Sequence, residues 1–396
     1  MNVQFDEIID RRNTNSLKYD FACERGRSPH LLPMWVADMD FRTVPEVNEK
    51  LRQCADHGIY GYSETDSGYF GAVSGWYERY FGWKTREEWL VKTPGVVFAI
   101  AAAVRALTEP GEAVLIQSPV YYPFREVVLA NGRRVAANSL VNRDGHYEID
   151  FEDFEKKIRE NKVRLFILCS PHNPVGRVWT KEELLEMGRV CFKYGVKVVS
   201  DEIHSDFARP GHPHTVFASL GGEYQEHSVI CTSPSKTFNL AGLQVSNIFI
   251  PQADIRRKVK KAIRQTGYSQ LNLFGIAACR TAYESGREWL DSLKSYLEGN
   301  IRYVQEYLKD NIPQVKLTEP EGLYLLWLDF RKLGLGGREL DRVIEDRAGL
   351  WLDGGTMFGP EGEGFQRMNI ACPRKTVEQA MESLGSLVDC QPKQGG

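Results

Sequence analysis

The chain has 396 residues, 42% hydrophobic and 26% charged, and its 50 basic and 53 acidic side chains leave a net charge of −3. That balance excludes the electrostatic footprint of a nucleic-acid or acidic-membrane binder. No apolar run approaches the ~20 residues that span a bilayer, and the eight cysteines are scattered without a C-x-x-C pair, which argues against structural zinc or a disulfide framework. The opening Met1-Asn2-Val3-Gln4-Phe5-Asp6-Glu7 lacks the basic-then-apolar pattern of a secretory signal, so a reducing cytoplasm is the expected location.

Residues 1–45 are rich in turn formers and charge and are expected to pack on a smaller domain or on a partner subunit. Lys92-Thr93-Pro94-Gly95-Val96-Val97-Phe98 leads into a helix pattern over Ala99–Leu107. Short apolar runs then read as buried strands at 113–117, 164–169, 196–200, 229–231 and 246–250. Between them, Leu184, Leu185, Met187, Val190 and Cys191 mark a helix over Lys181–Tyr194. Thr180 with Glu183 three residues on forms its capping box. The basic cluster Arg256-Arg257-Lys258 and Lys260-Lys261 is interleaved with Ile255, Val259 and Ile263, the spacing of a solvated helix face. Strand–helix alternation argues for an α/β domain with a mainly parallel sheet. Beyond it come a long helix over Gly286–Leu308, a strand at Gly322–Leu328, a helix near Arg338–Ala348, a strand at Phe365–Ile370 and a last helix over Val377–Leu387. This part reads as a smaller α+β domain. The expected division is an arm at 1–45, a large domain at 46–288 and a small domain at 289–396.

Several strands end in turns loaded with chemistry, and open α/β sheets bind ligands at the carboxyl ends of their strands. Strand 164–169 runs into Ser170-Pro171-His172-Asn173-Pro174-Val175-Gly176. Strand 196–200 runs into Asp201-Glu202-Ile203-His204-Ser205-Asp206, and strand 229–231 into Thr232-Ser233-Pro234-Ser235-Lys236-Thr237-Phe238-Asn239. Read singly, Lys236 is equally a loop lysine, Asp201 a helix cap, and Asn173 a turn former. Together they have a common explanation in pyridoxal 5′-phosphate, which needs a lysine for an imine, an acid at its ring nitrogen and donors for its phosphate. Lys236 fits the first, Asp201 the second, and Asn173 can meet the ring hydroxyl. A Gly-led helix start such as Gly95-Val96 presents backbone N–H groups to a phosphate.

These motifs resemble the aspartate-aminotransferase superfamily, the fold type I pyridoxal-phosphate enzymes. Within it they are similar to the MalY/PatB branch of cystathionine β-lyases and related C–S lyases. The resemblance runs along nearly the whole chain. It is carried by Leu32-Pro33-Met34-Trp35-Val36-Ala37-Asp38-Met39-Asp40-Phe41, Tyr60-Gly61-Tyr62, the Asn-Pro-x-Gly, Asp-Glu-Ile-His and Ser-x-x-Lys segments above, and their order. It implies a large domain with a mainly parallel seven-stranded sheet flanked by helices, plus a smaller α+β domain. It also implies a homodimer with active sites at the subunit interface and an amino-acid substrate cleaved by β-elimination. Lys236 would hold the cofactor and act as general base, Asp201 would pair with the pyridine nitrogen, and Asn173 would meet the ring oxygen. Tyr121 would stack on the ring, with Tyr122 the competing choice. Val96 and Val97 amides, with Ser233 and Ser235, would bind phosphate, and Tyr62 would reach the neighbouring subunit's cofactor phosphate. Arg367 would clamp the substrate carboxylate, with the backbone of Ala37 and Asp38 beside it. Two positions depart from the aminotransferase pattern. His204 stands where a Tyr is common, and Gln244 where an Arg grips the phosphate, which leaves the role of His204 open between cofactor contact and packing. An aminotransferase, or a regulatory protein acting by contact, is the alternative on this fold.

Overall fold

Seven strands form the central sheet of the computed structural model, which describes residues 4–389. They are β1 (Leu90–Thr93), β2 (Ala113–Ser118), β3 (Arg134–Ser139), β4 (Leu165–Cys169), β5 (Lys197–Asp201), β6 (Ser228–Thr232) and β7 (Ser246–Phe249), in the spatial order β1-β7-β6-β5-β4-β2-β3. Only β7 runs against its neighbours; the pairs from β6 to β3 are all parallel. β2, β4 and β6 are buried at every residue, as strands covered on both faces must be.

Alternate side chains feed two cores. Val114, Ile116, Leu165, Ile167, Val199 and Val229 point into one, closed by the helices Val96–Leu107 and Ala253–Arg264. Leu115, Phe166, Leu168, Val198 and Ile230 point into the other, against Trp76, Leu184 and Met187. In the helix Ala253–Arg264, Ile255, Val259 and Ile263 are buried while Arg257, Lys258, Lys260 and Lys261 face solvent, the arrangement expected from their spacing. The helix Lys181–Lys193 begins with the anticipated capping box: Thr180 Oγ1 accepts from the Glu183 amide (3.2 Å), and the Glu183 carboxylate accepts from the Thr180 amide (2.8 Å).

The C-terminal part has a four-stranded antiparallel sheet of β8 (Lys316–Leu317), β9 (Leu325–Asp329), β10 (Asp353–Gly354) and β11 (Phe365–Asn369), ordered β8-β9-β11-β10. The long helix Arg287–Asn311 and the helices Gly337–Ala348 and Arg374–Asp389 accompany it. β9 starts three residues later than the sequence pattern predicts. Gly322 and Leu323 give their amides to Gly176 and Phe207 carbonyls instead of to a strand partner, and Leu323 adopts φ 74°. The N-terminal arm reaches this part: Leu32–Pro33 pairs in parallel with Leu350–Trp351, and Trp35 stacks on Trp351 with centroids 4.4 Å apart.

Candidate active site

After the edge strand β1 the chain crosses to β2, moves outward to β3, then returns to β4 and continues the other way through β5 and β6, so the order reverses between β2 and β4. Ligands of open α/β sheets bind at such a point. Here the loops after the two strands meet, the Tyr121 amide donating to the Asn173 carbonyl at 3.0 Å. A cavity of about 170 Å³ opens beside them. Ala37, Val96, Val97, Tyr121, Asn173, Asp201, His204, Ser233, Ser235 and Lys236 all line it. Tyr122, the competing choice in the sequence, does not line it. Gln244 also reaches the cavity.

Asp201 is the last residue of β5, in register with Cys169 and Cys231 on either side. Burial lifts its carboxyl to about 7, against the Ile203 amide (3.1 Å) and the charge of Lys236, which favour the ionised form. Asp201 makes no ion pair among the described residues, so an acid is held here in want of a cation. Lys236 sits in the short helix Pro234–Thr237 that follows β6. Burial lowers its amine to about 8, with Arg367 adding to the effect and Asp38 and Asp201 opposing it. Its Nζ donates to the Ala37 carbonyl at 2.7 Å. On another wall of the cavity the helix Val96–Leu107 begins with Ala99 bonding back to Gly95, which leaves the amides of Val96, Val97 and Phe98 as the donors of a helix N-terminus. The Ser233 hydroxyl caps the Lys236 helix, accepting from the Ser235 amide (3.0 Å) and donating to the Val245 carbonyl (2.7 Å).

The segment Trp35–Asp38 is pinned carbonyl by carbonyl. Arg367 Nη2 donates to Trp35 (3.0 Å), Asn369 Nδ2 to Val36 and to Asp38 (2.6 Å), and the Tyr324 hydroxyl joins Lys236 on Ala37 (3.0 Å). Asn239, in the left-handed region at φ 56°, ties the Lys236 segment to the same arm through Met39 and Phe41. Arg367 lies on β11, also donating to Asn173 Oδ1 (3.0 Å) and paired with buried Asp353; its buried Nε has no partner among the described residues. It borders the cavity through Asn173. Asp38 does not line the cavity; its side chain is ion-paired with Arg11 at 2.6 Å, and its charge acts on Lys236 from there. Tyr62 lies wholly exposed and outside the cavity, alongside exposed Ile59 and Tyr60.

His204 is buried, its Nδ1 unpartnered among the described residues and its ring 5.9 Å from that of Tyr324. Burial drives its pKa well below the usual histidine value, and Lys236 and Arg367 add to this, so it stands neutral. The neighbouring residues of the Asp-Glu-Ile-His motif serve the scaffold. Glu202 pairs with His214 (3.0 Å) and takes the Phe217 amide, and Asp206 holds Thr237 Oγ1 (2.7 Å) and Trp76 Nε1 (3.0 Å).

Pyridoxal phosphate is met by this donor set: an amine of lowered basicity, an uncompensated buried carboxylate and a helix N-terminus surround one cavity at the sheet's switch point. The chain belongs to the class I and II aminotransferase family, whose model matches residues 32–384. Within that family it is 44% identical to the cystathionine β-lyase PatB of Bacillus subtilis over 96% of this chain and 99% of that one. Cystalysin from Treponema denticola, which contains a pyridoxal 5′-phosphate cofactor, matches with a TM-score of 0.95 at 35% identity, covering 98% of this chain and 99% of that chain. A pyridoxal-phosphate-bound putative aminotransferase from Clostridium difficile matches with a TM-score of 0.96 at 40% identity, covering 98% and 100%.

Proposed function

We propose that this protein is a pyridoxal 5′-phosphate-dependent carbon–sulfur β-lyase that cleaves L-cystathionine or related cysteine S-conjugates to a thiol, pyruvate and ammonia. The observation that carries the reading is the single cavity in which Lys236, of lowered basicity, and Asp201, a buried acid without an ion-pair partner, converge. Similarity to PatB along almost the whole chain favours elimination over amino transfer.

Lys236 would be the covalent attachment point, Asp201 the partner of the ring nitrogen, Asn173 a donor to the ring oxygen, and Tyr121 the stacking platform. Val96 and Val97 amides with Ser235, and Ser233 behind them, would cradle the phosphate. When bound, the cofactor supplies an electron sink for the charge left on the substrate α-carbon. Arg367 fixes the substrate carboxylate, leaning on Asn173 and Asp353 for its orientation. Lys236 Nζ then takes the α-proton; an amine of lowered pKa is partly neutral near pH 7 and able to accept it. The Cβ–S bond breaks, the same Nζ returns its proton to the leaving sulfur, and water completes the release of pyruvate and ammonia. The Ala37 carbonyl holds the free amine between these tasks. His204, neutral in the same cavity lining, would contact the cofactor without adding charge.

We assign the large domain to 46–288 and the small domain to 289–396 with the 1–45 arm, supported by the two separate sheets and the pairing of Leu32–Pro33 with Leu350–Trp351. The active unit is a homodimer in which the partner subunit's Tyr62 reaches the phosphate. The full exposure of this aromatic, beside Ile59 and Tyr60, supports that assignment. The enzyme works in the cytoplasm; the described cysteines are all free thiols.

The test is Lys236→Ala. It should lose both the visible absorption of bound cofactor and pyruvate release from L-cystathionine. Undiminished pyruvate release from this variant would overturn the assignment.

A further inference from the structure

A second cavity, of about 320 Å³, lies between the long helix Arg287–Asn311 and the turn at Phe207–Pro210. Phe207, Leu297, Ile301 and Leu323, all buried residues, form its apolar wall. Its free charge is positive. Arg209 is spent on Glu298 (2.7 and 2.9 Å), whereas Lys294 and Arg302 make no hydrogen bond or ion pair among the described residues. Lys294 is partly desolvated, and burial lowers its pKa although buried Asp206 attracts it. A cation short of water and of a close partner, at the edge of an apolar cavity, gains most from an anion that brings an apolar body with it. The volume falls in the range of about 300–1,000 Å³ that holds small ligands.

We propose that this cavity is a binding site for a small carboxylate or sulfonate with an aromatic or branched apolar body, its anionic head held by Lys294 and Arg302 and its body packed on Leu297, Ile301 and Leu323.

Two connections run from this cavity to Lys236. Lys294 acts on Asp206, which holds the hydroxyl of Thr237, the residue after Lys236. On the opposite wall, Leu323 is strained at φ 74° and donates its amide to Phe207 (3.1 Å). The next residue, Tyr324, packs edge-on against Phe207 at 4.8 Å and shares the Ala37 carbonyl with Lys236. Both walls of the cavity are thus joined by contacts to the Lys236 segment.

The experiment is a fluorescence titration of the cofactor-loaded protein with anilinonaphthalene sulfonate, with phenylacetate as competitor. Binding should saturate, be displaced by phenylacetate, and weaken at least about tenfold in both Lys294→Met and Arg302→Glu, the loss of a charge-assisted contact. Arg302 is exposed, so its substitution leaves the core intact. Unchanged dye affinity in both variants would overturn the proposal. So would competitive displacement by L-cystathionine to completion, which would place the dye in the Lys236 cavity. The readout is optical, so its failure leaves the assigned reaction untouched.

Discussion

Replacing Asp201 by Asn tests the electrostatics of the site in isolation. The substitution keeps the shape and the oxygen that accepts the Ile203 amide (3.1 Å) but removes the charge. Burial raises the Asp201 carboxyl from 3.8 to about 7. The folded state thus holds this proton more tightly than the unfolded chain, and stability must fall as pH climbs from the unfolded value toward the folded one. At ~1.4 kcal/mol per pKa unit, the shift amounts to roughly 4 kcal/mol of destabilisation once the group is ionised at pH 8, shrinking to roughly 1.5 kcal/mol at pH 5. In cofactor-free protein, Asp201→Asn should therefore be more stable than the parent, by a margin that grows from pH 5 to pH 8. Urea unfolding at several pH values measures it, read chiefly below the Lys236 titration near 8, because that amine feels the Asp201 charge while groups remote from Asp201 cancel in the difference. With cofactor bound the sign reverses, because the carboxylate then faces a cation, and Asp201→Asn should bind pyridoxal phosphate more weakly. Parallel stability profiles for parent and variant would refute the claim that Asp201 is an uncompensated buried acid.

Arg367→Lys keeps a positive charge but loses the planar fork that meets Asn173 and Trp35 together. kcat/KM for an amino-acid substrate should fall on the order of a hundredfold, mostly through KM. Glu202→Gln removes the charge from the fully buried hydrogen-bonded contact with His214 and should cost about 2 kcal/mol in unfolding free energy while leaving the activity of the folded fraction intact. A drop in specific activity instead would place Glu202 in the chemistry. Tyr62→Ala should leave the fold of its own chain intact, since within that chain the side chain touches nothing, yet bind cofactor less well. Mixing Tyr62→Ala chains with Lys236→Ala chains should restore activity in hybrid dimers, and no restoration would contradict a shared site.

Much of the site was legible because its residues stand where local patterns change. Asp201 ends a buried strand, and Asn173 and Lys236 stand in the polar turns that follow two others, a change of pattern visible without a fold. The capping box at Thr180 and the interleaved Ile255, Val259 and Ile263 are similarly local signals. Tyr324 was not legible, because in the run Leu323–Leu328 it reads as one more core residue; only the fold brings its hydroxyl to Ala37. Asp353 and Asn369 carry no local signal either, since their partners Arg367 and Trp35–Asp38 are joined to them by sheet pairing and by the arm. The Asp38 side chain is claimed by Arg11, a contact across a long loop that no periodicity encodes. The helices Pro45–His57, Ser67–Phe81 and Leu273–Ser285 also went unassigned. The second is rich in glycine and aromatic residues, which blur the helical period, and it is settled by its packing around Trp76.

The central claim is elimination, and counting products tests it most directly. Purified, cofactor-loaded protein is incubated with L-cystathionine in the absence of any α-keto acid, and thiol, pyruvate and ammonia are measured together. The account predicts equal amounts of all three, accumulating over many turnovers. Turnover that requires an added α-keto acid, returns an amino acid from it and releases no pyruvate would contradict the account and make this protein an aminotransferase.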